Sequence, residues 1–213
     1  MNKPNYMELK YNEYTKLPLK VFNKITGITT TDEVDYEITL LSYLCDCNEE
    51  DILNLSLTDY QTIRKEAQFI ASFPDIKGTV TDKIRIKDNR YYVCKDLSQI
   101  TAAQYIDYQS YLKADDKKYE YLLSCFIIPV GKTYCEGYNV DDVIKDIMEL
   151  DIVSVLNICF FFLNLFLTST KALVHYWESQ MKKMMRKEKD KEMKKKFQET
   201  LNQIRLMRSG LGY

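Results

Sequence analysis

Only ten of the chain's 213 residues are glycine or proline, six and four respectively. That is about 5%, less than half of the usual ~12%. A chain so short of turn formers cannot readily close the many tight turns of a β-sandwich or barrel, so helices are expected to dominate. The same scarcity removes glycine-rich phosphate cradles. Gly27, Gly78, Gly131, Gly137, Gly210 and Gly212 never fall into a G-x-G-x-x-G or Walker spacing. At this length one large domain or two small ones can bury a substantial core.

Helix signals recur along the first seventy residues. Thr15 is positioned to cap Leu17 to Ile25, with Pro18 in the first turn. Asp32 to Cys45 carries Ile38, Leu41 and Cys45 on one stripe, and Asn48 with Asp51 opens a third, short helix. Thr58-Asp59-Tyr60-Gln61 reads as a capping box for a fourth helix running to about Ser72, before Pro74. The texture then changes. Val80, Ile84 and Ile86, then Tyr91, Tyr92 and Val93, flank Lys87-Asp88-Asn89-Arg90 and predict one β-hairpin over about 79–94. A lone hairpin is marginal in water and must pack on helices or pair with another strand. Helices resume at the capping box Thr101-Ala102-Ala103-Gln104, at Tyr119 to Ile128 before Pro129, and at Val140 to Leu150 behind Asn139.

Residues 152–170 are the longest stretch without a charge. Its length permits a membrane span, and the basic residues beyond it suit the positive-inside rule. Against a span, Asn157 and Asn164 share a helical face, and only 13 of the 19 residues are apolar. A buried core helix over 152–174 explains the pattern without a bilayer. Beyond it lies a basic amphipathic segment, read as one long helix. Trp177, Met181, Met184, Met193, Phe197, Leu201 and Ile204 form an interrupted apolar stripe suited to a partner's groove. The expected organisation is a polar arm (1–14), an N-terminal helical unit (15–73), a hairpin-plus-helix unit (74–176) and the basic C-terminal helix (177–213). The expected fold class is mainly α, a multi-helix bundle with one small β-hairpin.

Charge is divided unevenly. Residues 178–208 hold eleven basic and five acidic residues, net +6, whereas residues 1–177 hold 19 basic and 26 acidic, net −7. An acidic body on a basic tail is a plan for electrostatic docking, on itself, on a neighbouring subunit or on a polyanion. Nucleic acid is the weaker expectation, because lysine outnumbers arginine in the tail and the tyrosines able to stack on bases lie in the acidic body.

Reactive constellations have plainer explanations. Asp141, Asp142, Asp146 and Glu149 invite a magnesium reading, but acids at a helix N-terminus answer to the macrodipole. His175, the sole histidine, has no G-x-S-x-G or other nucleophile elbow to serve. Of six cysteines only Cys45 and Cys47 are close, and a lone C-x-C is weak metal evidence. The others sit in apolar or strand-like runs, as small hydrophobes do. With no apolar signal region after Met1, a reduced, cytoplasmic origin is expected. Neither catalytic residues nor a cofactor, metal or small-molecule substrate is expected.

Four stretches taken together carry a resemblance. Leu17-Pro18-Leu19-Lys20-Val21-Phe22-Asn23-Lys24-Ile25 precedes Tyr36-Glu37-Ile38-Thr39-Leu40-Leu41-Ser42-Tyr43-Leu44 and Glu49-Glu50-Asp51-Ile52-Leu53-Asn54-Leu55-Ser56-Leu57-Thr58-Asp59-Tyr60. Asp96-Leu97-Ser98-Gln99-Ile100-Thr101-Ala102-Ala103-Gln104-Tyr105-Ile106-Asp107 follows the hairpin. This order resembles the tail assembly chaperones of tailed bacteriophages, over roughly residues 15–175. The resemblance implies a non-enzymatic assembly protein in the host cytoplasm that binds a long helical partner such as the tape-measure protein. The alternatives are a structural virion component of head, connector or tail, retained in the particle, and a single-span membrane protein anchored through 152–174. The long basic C-terminal helix lies outside the resemblance.

Overall fold

The computed structural model describes residues 7–113, 119–187 and 191–210. It is 62% helical with a small three-stranded antiparallel sheet, a mainly α fold. The chain divides into two compact units, Met1–Phe160 and Phe161–Tyr213. Residues 15–73 and 74–160 both lie in the first of these units.

The first unit opens with an extended segment. Leu9 and Tyr11 are buried, and the Tyr11 N–H donates to the Leu44 carbonyl at 3.1 Å. Lys10 pairs with Asp46. The described part of the expected polar arm is thus docked. Two apolar side chains, alternating with exposed polar ones, give this segment a face to bury. Helices α1 (Leu19–Thr26), α2 (Glu33–Cys45), α3 (Glu49–Leu53) and α4 (Leu57–Glu66) follow, and α4 runs on into a 3-10 turn, Ala67–Ala71. Two starts differ from the sequence expectation. Pro18, with its fixed φ, is the N-cap of α1. Ser56, not Thr58, caps α4: its Oγ accepts from the Asp59 N–H at 3.1 Å and donates to Asp59 Oδ2 at 2.7 Å. Ser56 thus supplies a side-chain N-cap two residues earlier than expected, with its hydroxyl held by the Asp59 carboxylate.

The sheet orders β1 (Lys83–Ile86), β2 (Asn89–Val93) and β3 (Ile127–Pro129), with β2 central. The expected hairpin is present, turning on Lys87 and Asp88 with Ile86 opposite Asn89. β3 corrects the expectation of one helix to Ile128. The helix α6 (Tyr119–Ser124) stops early, and Ile127 pairs with Val93. Two adjacent β-branched residues before a proline favour the extended region, and pairing supplies the third strand a short hairpin needs. Helix α5 (Ala102–Lys113) starts on the expected capping box. The Thr101 N–H donates to Gln104 Oε1 at 2.8 Å, and Thr101 Oγ1 accepts from the Gln104 N–H at 3.2 Å. Helix α7 (Val140–Ile147) is capped by Asn139 and buries Val143 and Ile147.

The unit closes where its beginning meets its end. The Leu19 N–H donates to the Leu150 carbonyl and the Ile152 N–H to the Leu17 carbonyl, each at 2.8 Å, around fully buried Leu17, Leu19 and Ile152. Helix α8 (Ile152–Lys187) leaves this core. Ile152, Val155, Ile158 and Phe162 are buried, one side of three turns, while Phe160 and Leu163 are exposed. The expected burial of 152–174 is thus confined, among the described side chains, to a stripe of 3.6-residue period at its start. Among the described residues no helix is long and apolar enough to cross a membrane. Asn157 stays within the first unit: Oδ1 accepts from the Lys77 and Gly78 N–H groups at 3.0 and 2.9 Å.

In the second unit the basic segment is two helices rather than one, the end of α8 and α9 (Lys191–Gly210). Lys182, Met185 and Arg186 line one shallow pocket with Lys194, Gln198 and Leu201, so the two helices lie side by side. Residues 186–192 contain no apolar side chain.

Candidate functional site

Three strongly exposed apolar side chains come together on α2, α3 and α4. Val34, Leu53 and Leu57 are 63%, 65% and 71% exposed. With Ile38, Leu55 and Tyr60 around buried Ile52 they line an open groove of about 300 Å³. The groove follows from the sequence. Ile52-Leu53-Asn54-Leu55-Ser56-Leu57 carries four apolar residues through a five-residue helix and its connection to α4. So short a helix has one inward face, which Ile52 takes, leaving Leu53 and Leu57 outward. Val34 and Ile38, one turn apart on α2, form the opposite wall.

The segment that forms the groove is acidic in sequence. Residues 32–66 hold ten acids against two basic residues, net −8. Several acids are also structural. Asp32 caps α2, accepting from the Val34 and Asp35 N–H groups at 2.9 and 3.0 Å. Asp51 accepts from the Asn48 N–H at 3.0 Å, and Glu49 accepts from the Thr39 hydroxyl at 2.7 Å, tying α3 to α2. Asp35 and Glu50 are exposed at helix starts, where negative charge is favoured.

The other side of α2 borders a wider cleft of about 900 Å³ against α4. Its floor is Leu40, Leu41 and Ala67, and its rim is polar. Glu37 Oε1 accepts from the Arg64 guanidinium and from the Tyr60 hydroxyl, each at 2.7 Å. Burial first, then that bond to Glu37, pushes the Tyr60 phenol up. The pair holds α2 against α4 between groove and cleft, and so fixes the groove's width.

The acids of α7 have structural work. Asp142 pairs with Lys145 at 3.0 Å, Asp146 accepts from Asn89 and Tyr91 of β2, and Glu149 pairs with Lys20 and Lys87. Among the described residues no group of three His, Cys, Asp or Glu side chains is placed to hold a metal ion. Burial pushes the Cys45 and Cys125 thiols up to about 12 and Cys159 to about 11, which holds them as inert thiols.

Four of the seven residues of the expected apolar stripe have described side chains. Met184 and Met193 are exposed and Met181 is half-buried, but Leu201 is buried within its own unit. The side chains of Trp177, Phe197 and Ile204 lie outside the described residues. The stripe is therefore partly consumed by the packing of α9 beside α8. Periodicity assigned it a partner; the α2–α4 groove, missed at that level, had its signal in the leucines at 53, 55 and 57.

No protein-family model, curated protein or solved structure matches this chain. Fold and site together define a mainly α protein with a small antiparallel sheet and an acidic, apolar-floored groove.

Proposed function

We propose that this chain is a non-enzymatic bacteriophage assembly protein, of the tail-assembly-chaperone kind, which uses the α2–α4 groove to hold an amphipathic helix of a long helical partner such as the tape-measure protein. The observation that carries this reading is the exposure of Val34, Leu53 and Leu57 together in one groove. A helix laid in such a groove anchors through apolar residues spaced three or four apart, and acidic rims select basic flanks. The resemblance of residues 15–175 to tail assembly chaperones supplies the class of partner. Action in the host cytoplasm follows from that role.

The test is co-expression with the tape-measure protein encoded in the same genome, followed by size exclusion with light scattering. The reading expects a soluble complex that is lost in Leu53→Asp/Leu57→Asp, a variant whose substitutions lie on the surface and whose circular dichroism stays unchanged. Binding indifferent to that variant refutes the groove. Stoichiometric recovery of the chain in purified virions refutes the chaperone role and makes it a structural component of head, connector or tail.

A further inference from the structure

The groove face has a complement within the same sequence. Residues 32–66 carry net −8, and residues 178–208, with eleven basic and five acidic residues, carry net +6. In the second unit Lys182, Lys183 and Arg186 of α8 and Lys194 and Lys195 of α9 are exposed. Met184 and Met193 are exposed among them. An unbranched thioether fits irregular apolar surface, and lysine stems can cover apolar ground while their ammonium groups reach carboxylates. The groove offers the reverse: apolar side chains line it, while exposed Asp35 adjoins Val34 in sequence and exposed Glu50 lies three residues before Leu53 on α3.

The charge geometry points to a second copy of this chain as an occupant of the groove: the basic α8–α9 surface of one copy docks on the acidic α2–α4 face of another. The inference rests on reading that face as a docking surface, not on the identity of any phage partner. Every chain carries both halves, so each half always meets its complement at equal concentration. The two patches differ, so the contact is heterologous; reciprocal exchange between two copies closes it as a dimer, and one-way docking extends it. Opposite charges speed the encounter and make it sensitive to salt.

The test is sedimentation and light scattering of the full chain with a charge exchange. One variant is Asp35→Lys/Glu50→Lys and the other is Lys183→Glu/Lys195→Glu. The wild type is expected to associate in a concentration-dependent way at about 50 mM salt and to weaken about tenfold or more at about 500 mM. Each variant alone opposes like charges and is expected to lose about tenfold or more in association. An equimolar mixture restores both complementary contacts and should recover wild-type association, which a folding defect would not produce. A wild type that stays monomeric at low salt overturns the inference, as does a mixture no stronger than its components. Salt-dependent compaction at constant monomer mass also overturns it, because the docking is then within one chain. A wild type that stays monomeric at low salt yet binds the tape-measure protein refutes this inference alone.

Discussion

Asn157 offers the sharpest test of how the first unit is held together. Its Oδ1 accepts from two successive backbone donors, the N–H groups of Lys77 and Gly78, at 3.0 and 2.9 Å. Its Nδ2 donates to the Val153 carbonyl at 2.9 Å. Residues 73–82 connect the helical part to β1 without regular structure, so this side chain pins the connection to α8. Asn157→Ala removes the acceptor from both donors. The Lys77 N–H is exposed and finds water, whereas the Gly78 N–H is part-buried and bears a desolvation cost. A net hydrogen bond is worth about 1 kcal/mol and a partly desolvated donor up to about 2, so the loss should be about 1–2 kcal/mol. Asn157→Asp keeps the accepting oxygen and should lose less. Urea denaturation measures the stability, and amide exchange reads the two donors, whose protection should fall about tenfold for each ~1.4 kcal/mol lost. Stability within about 0.3 kcal/mol of wild type, with the exchange of Lys77 and Gly78 unchanged, would refute the reasoning.

Three further outcomes are expected. Gln104→Ala opens the α5 capping box and orphans the Cys125 carbonyl, to which Gln104 Nε2 donates at 2.8 Å; the chain should lose about 2–3 kcal/mol by urea denaturation, and a loss below about 1 would contradict the role. The Lys20 ammonium beside Glu149, assisted by Lys87, holds its carboxyl below the usual glutamate value of 4.5. Because the folded value is the lower one, the contribution is present above pH 4.5 and is lost as pH falls through the folded value. Glu149→Gln should therefore cost under about 1 kcal/mol at neutral pH, the pair being partly exposed, and nothing at low pH; a cost that grows in acid would be the wrong sign. Finally, a thiol reagent at mildly alkaline pH should modify exposed Cys135 first and leave Cys94 and Cys125 until unfolding. Peptide mapping that finds Cys125 labelled first would contradict the burial.

Much of the fold was legible where one residue type has one local use. Asp32, Asn48, Thr101 with Gln104, and Asn139 open helices as their side chains require. The hairpin was legible from its paired β-branched and aromatic runs. What sequence could not show depends on distant partners. Ile127-Ile128 becomes a strand because β2 lies beside it, and Leu9 and Tyr11 are buried because the end of α2 receives them. Local pattern offers the first only two β-branched residues before Pro129, and on the second it is silent. The apolar length of α8 overstated its burial, since a helix against one surface hides one stripe and leaves Phe160 and Leu163 outward. For the candidate site, the leucines around α3 were visible, but only a helix of five residues makes them surplus to the core.

The measurement that bears most directly on the central claim is hydrogen–deuterium exchange of the full chain, free and bound to the tape-measure protein. The account predicts that binding protects α2 to α4, most strongly around Leu53 to Tyr60, and leaves the sheet unchanged. Protection confined to other elements, with Leu53 to Tyr60 exchanging as in the free chain, would contradict it.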